Sequence, residues 1–216
     1  MEEVQRIKEL LQQDRPEAWE NLPDIELYMD QVVSYLPRQS VGGKTPSMTS
    51  AMINNYVKDG LLPRANGKRY RKEHLACLTA IGLLKNVLTV KDMKLLLRSL
   101  VQEGEEQTFY ETLLSGVDRT FRDVGADLPP DISEEDLAAV AMSLALCSVA
   151  YKTACEQLLA IIREKRREED PEVIKEKEKE AAKREKAMRK AAEKEAKKAE
   201  KAEKTEGKTD EPSTEE

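Results

Sequence analysis

The chain has 216 residues and a formal net charge of −6 at pH 7, with 36% of its residues charged. One histidine, three cysteines and no Gly-rich phosphate loop, Ser/His/Asp set or His-containing metal motif argue against an enzyme and against a resident cofactor or metal. Charge is unevenly spread: Lys58 to Lys72 hold six Lys/Arg and one acid, about +5 in fifteen residues, against the acidic whole.

The hydrophobic pattern predicts helices nearly throughout. A first helix over residues 2–13 is amphipathic and carries no hydrophobic signal core. Trp19, in the loop-like PEAWENLP, is expected to pin that helix to the domain. A second helix spans 23–36, with Ile25, Met29, Val32, Val33 and Leu36 on one face. Residues 37–46 read as a flexible connector, followed by a third helix over 47–59. Gly60 supplies the left-handed position that ends it, and Pro63 follows. Residues 61–71 are expected to form a small β wing around a two-residue turn at Asn66-Gly67.

Beyond the wing, a fourth helix turns Leu75, Leu78, Ile81, Gly82 and Leu84 inward. Thr89, with Asp92 three residues on, caps a fifth helix whose apolar face is Met93, Leu96, Leu97 and Leu100. A helix over 105–124 repeats Phe109, Leu113, Val117 and Phe121 every four residues and ends at Gly125. Pro129-Pro130 breaks the chain, and Ser133 with Asp136 caps a long helix to 167. That helix is apolar on several faces, which fits either internal core or a dimer seam. Its apolar run, Leu137 to Tyr151, is about fifteen residues, read as too short and too weak to span a bilayer. From Arg163 onward 18 cations face 18 acids, and Glu/Lys pairs at helical spacing support a helix without a core. The organisation predicted is therefore an N-terminal helix and loop (1–22), a DNA-binding domain (23–104) and accessory or dimerisation helices (105–167). A charged helix (168–204) and a disordered acidic end (205–216) follow. Cysteine usage and the missing signal segment point to a cytoplasmic chain with no membrane association.

The third helix and the wing carry the functional signal. Ile53 and Val57 face inward, with Met52 and Tyr56 at the flank, leaving Ser50, Ala51, Asn54, Asn55 and Lys58 outside. Asn can bond adenine N6 and N7 together, and Ser or Thr can serve base or phosphate. Two adjacent exposed asparagines are unusual on a plain solvent face, because Asn is a poor helix former. The cations Lys58, Arg64, Lys68, Arg69, Arg71 and Lys72 are placed to meet phosphates of double-stranded DNA.

In INNYVKDGLLP, the turn and NGKRYRKEHL, the helix containing LTAIGLLKNV, and LTVKDMKLLL, the chain resembles the MerR-type winged helix-turn-helix across residues 47–97. INNYVKDGLLP is closer still to an uncharacterised bacterial family, domain of unknown function eighteen thirty-six, over roughly 25–125. The resemblance implies an all-α fold with a small β wing and sequence-specific DNA binding as a homodimer, with no effector specified. By that resemblance Tyr56 would reach phosphate or brace the wing, Arg69 would lie on the DNA backbone, and Tyr70 would anchor the wing. Thr49, Ser50, Asn54 and Asn55 would face bases or phosphates. Arg71 departs from the pattern, which has Ser or Thr there as a helix cap; the costly cation reads as a further phosphate contact.

Other constellations are weaker. Cys147 and Cys155 are eight apart, about 12 Å along one helix, too far to share an ion that needs sulfur within about 2.3 Å. Both, with Cys77, read as buried thiols, and His74 as a surface or wing-packing residue. The main reading is a DNA-binding transcriptional regulator; the competing one is a protein-interaction module whose same surface binds an acidic partner.

Overall fold

The computed structural model describes residues 2–44 and 47–168. The predicted charged helix and acidic end, from 169 onward, lie outside the described residues. The chain divides into two compact units, residues 1–160 and 161–216; the second is described only in the last turns of one helix.

Seven α-helices run in order through the described residues: α1 (Glu2–Gln12), α2 (Met29–Tyr35), α3 (Ser50–Lys58), α4 (Lys72–Leu84), α5 (Val90–Leu100), α6 (Glu106–Asp127) and α7 (Leu137–Glu168). Single 3-10 turns cover Trp19–Asn21 and Leu36–Arg38. α4 is central because its sequence, KEHLACLTAIGLL, is apolar on every side, so it needs neighbours all round; His74 through Gly82 are buried without interruption. α6 packs against both α4 and α1. The α1–α6 junction is fixed by Arg15, whose Nε lies 2.6 Å from Asp118 Oδ1 and whose guanidinium covers the Phe121 ring at 5.3 Å. Tyr110 of α6 is fully buried, its hydroxyl 2.8 Å from the Glu17 carbonyl and 3.0 Å from Gln39 Oε1. Trp19 tilts against the Tyr110 ring at 5.9 Å, so it fastens α6 rather than the first helix.

Several expectations are corrected. The second helix begins at Met29, not 23, because residue 27 is bound in extended form: the amide and carbonyl of Leu27 bond the carbonyl and amide of Tyr70, each at 2.8 Å. Ile25, expected inward, is thereby 68% exposed. The β wing is not seen: no strand occurs among the described residues, only isolated bridges at Leu27–Tyr70, Val41–Lys44 and Asn66–Arg69. A hairpin ladder needs both arms facing each other, and here each arm is taken by another partner. Tyr70 pairs with Leu27, the Arg64 carbonyl faces His74, and the Leu61 and Leu62 amides both bond the Tyr56 carbonyl. The fold is mostly all-α with a tight turn in place of a wing, and the two left-handed residues are Gly67 and Lys68 rather than Asn66 and Gly67.

The remaining corrections concern the C-terminal half. α6 runs through Gly125 to Asp127. α7 continues past Tyr151 to Glu168, and by length and composition it is long and apolar enough to cross a membrane. Between Leu137 and Ala160 it is exposed almost throughout; Leu159 alone is buried. Cys147, expected to be buried, is exposed.

Candidate nucleic-acid interface

α3 is short and sharply bounded. Thr49 Oγ1 accepts the Met52 amide at 3.2 Å, a side-chain N-cap. At the other end the Asp59 carbonyl accepts Lys94 Nζ at 2.6 Å, and Gly60 takes φ +67°. A Cβ-bearing residue is strained there. Ile53 and Tyr56 are buried, fixing which face looks outward: Ser50, Ala51, Asn54, Asn55 and Lys58 are exposed. α2 packs on α3, but residues 36–49 separate them, far more than the three- or four-residue turn of a simple helix-turn-helix.

From α3 the chain folds back at once. The Tyr56 carbonyl takes two amides, burying Leu61 and Leu62 and turning Arg64 outward. Lys58 and Arg64 thereby line one hollow of about 470 Å³ whose floor includes Leu62, Cys77 and Leu97. Cys77 sits deep enough that burial pushes its thiol up to about 11, so it is an inert packing group. Asn66 and Arg69 exchange both backbone bonds across Gly67-Lys68, leaving Lys68 at the tip.

His74 locks the turn. Its Nδ1 accepts the Arg71 amide at 3.1 Å, its Nε2 lies 3.4 Å from the Arg64 carbonyl, and its ring meets Tyr70 edge-on at 5.5 Å. One neutral tautomer, protonated on Nε2, serves both bonds. Burial holds its pKa below the ordinary 6.5. The histidine therefore supplies the bond that the absent Ser or Thr cap does not, reaching back from the third helical residue to the amide that opens α4. Of the sequence reading of His74 as a surface or wing-packing residue, the packing on Tyr70 is seen and the surface position is not; the cap bond was missed, although a histidine three residues after a helix start is the position from which such a bond is made.

The twelve residues singled out from sequence separate into three groups. Ser50, Asn54, Asn55, Lys58, Arg64 and Lys68 are exposed, and the last three have no side-chain partner among the described residues. Thr49 is exposed but spends its oxygen on the cap, while Tyr56 and Tyr70 are buried, with burial raising both hydroxyl pKa values. The remaining three cations already hold carboxylates. Arg71 Nε lies 3.0 Å from Glu26 Oε1, Arg69 lies 3.6 Å from Glu26 Oε2 and stacks over Tyr28, and Lys72 lies 2.5 Å from Asp24 and over the Trp19 ring. The Arg71 hydrogen bond, and then the charges of both arginines, hold the Glu26 carboxyl below its usual value.

Asp24 and Glu26 were not found from sequence. The alternation in Asp24-Ile25-Glu26-Leu27 was the available signal, since a period of two places both acids on one side of an extended segment. The surface is therefore less cationic than composition implied: three cations stand uncovered and three are neutralised internally.

Residues 17–113 match a family model described as Domain of unknown function (DUF1836). No curated protein matches the chain, and no solved structure matches it.

Proposed function

We propose that the chain binds double-stranded DNA through the exposed face of α3 and regulates transcription by doing so. The observation that carries the reading is the outward set of Ser50, Asn54, Asn55 and Lys58 on α3, beside uncovered Arg64 and Lys68, in a chain that is otherwise acidic. The asparagines and Ser50 reach base edges in the major groove, and Lys58, Arg64 and Lys68 contact phosphates. The likeness of residues 47–97 to the MerR-type DNA-binding region supports the same assignment. Arg69 and Arg71 join on binding if phosphate replaces Glu26 as their partner, an exchange of one anion for another at an exposed site.

Three phosphate contacts per subunit correspond to a salt slope of about −2.7, and five to about −4.5. Selection of bound fragments from a random duplex pool tests the proposal. A consensus whose affinity falls on Asn54→Ala or Asn55→Ala supports it; no enriched sequence refutes it. A second reading has its own observation: Asp24 and Glu26 dock on these cations as an acidic strand-like peptide. An acidic protein segment could take that place, and binding of such a peptide with no DNA consensus would favour this reading.

A further inference from the structure

Two apolar surfaces of the first unit stand largely open among the described residues. One is α7, where Leu137, Leu144, Tyr151 and Leu158 recur every seven residues with Val140, Cys147 and Ala154 between them. This is the spacing by which one helix packs along another over several turns. Nonetheless Tyr151 is 78% and Leu158 62% exposed. The other is a hollow of about 670 Å³ on α6, walled by Leu84, Leu100, Phe109, Leu113, Val117 and Phe121. The repeat of four along α6 is the ridge pattern that receives a helix. Apolar surfaces of this extent are rarely left open in water.

We infer that α7 of each copy seats in the α6 hollow of a second copy, giving a reciprocal two-fold dimer. α7 does not cover its own hollow, since none of the residues lining it belongs to α7. The connector turns it away: Pro129, Asp131 and Ile132 gather around Ala139, Val140 and Ser143 at its base. A bilayer is a poorer occupant, because Lys152 and Glu156, paired at 3.9 Å, would fall inside the span, where charge is costly. Size fits a second copy. A specific interface takes about 20–30 residues a side, and the stripe of residues 137–160 together with the hollow is of that order on each copy, since two-fold symmetry makes each copy contribute both surfaces. The inference is independent of DNA binding.

Sedimentation equilibrium of the full chain without DNA at tens of micromolar tests it, with two variants that touch opposite halves of the contact. Leu144→Glu alters an exposed α7 position on the seven-residue stripe and Val117→Lys a half-exposed α6 position, so both should keep the wild-type circular dichroism. Each variant alone should shift to monomer, raising the dimer dissociation constant at least tenfold. Mixed one to one, they should dimerise again, because one of the two interfaces in the mixed dimer is wholly wild-type. A wild-type monomer overturns the proposal, as does a dimer indifferent to Val117→Lys, which would leave α7 pairing with α7. Failure of the mixture to recover also overturns it. So does flotation of wild-type chain on phosphatidylcholine vesicles with α7 protected from protease. Should Val117→Lys lose its helical signal, Thr120→Lys on the exposed rim of the same hollow takes its place.

Discussion

Protonating His74 should unfasten the turn that presents the cations. In the folded chain Nδ1 accepts the Arg71 amide at 3.1 Å, so a proton there would set donor against donor at the opening of α4. Burial is the main reason the imidazole resists protonation, and the neighbouring Arg71 adds to it, while Glu73 and the Arg64 carbonyl act the other way. The unfolded chain takes up the proton near 6.5; the folded chain does so only at lower pH. Between those values the unfolded state holds more protons, so stability is full above about 6.5 and is lost as pH falls toward the folded value. The loss is limited by what the neutral ring contributes. That is one amide hydrogen bond of about 0.5–1.5 kcal/mol plus a longer, weaker contact, so about 1–2 kcal/mol. Urea denaturation of wild type and His74→Gln at pH 7.5 and 5.5 measures it. Carboxylates that titrate over the same range affect both proteins, so the difference between their pH slopes isolates His74. Wild type should lose up to about 1.4 kcal/mol more than the variant on acidification, the linkage ceiling for one pH unit below 6.5; equal slopes would refute the argument.

Glu26→Gln should strengthen DNA binding and steepen its salt dependence by up to about two units per subunit, because Arg69 and Arg71 are both released to phosphate; fluorescence anisotropy at three salt concentrations reads this, and an unchanged slope means the arginines stay off the DNA. Lys58→Ala or Lys68→Ala should weaken binding to specific and scrambled duplexes alike and flatten the slope by about 0.9 per subunit, a pattern opposite to that of Asn55→Ala, which should cost about 1–3 kcal/mol on the preferred site alone. Gly60→Ala should destabilise the fold by about 1–2 kcal/mol in thermal or urea unfolding, since its φ of +67° is strained for any Cβ; a neutral result would show that the corner after α3 relaxes. Ile53→Ala, in a position with no exposure, should cost about 2–5 kcal/mol by the same assay.

Local chemistry settled much of this protein in advance. Apolar spacing, the Thr89-Asp92 cap and Gly60 are properties of a few adjacent residues, so α4, α5 and the end of α3 were legible from the chain alone. The outward face of α3 was legible too, because Ile53 is four residues from Val57 and leaves Asn54 and Asn55 on the other side. What the chain could not declare were pairings between distant segments. Leu27 meets Tyr70, Glu26 meets Arg71 and Asp24 meets Lys72 across more than forty residues. Those three contacts turned the start of an expected helix into an extended strap, left the wing without a ladder and neutralised half of the cations that composition had offered to DNA. The fate of α7 was equally beyond reach. An apolar helix reads the same whether its neighbours are its own domain or another molecule, and only the tertiary arrangement leaves it uncovered.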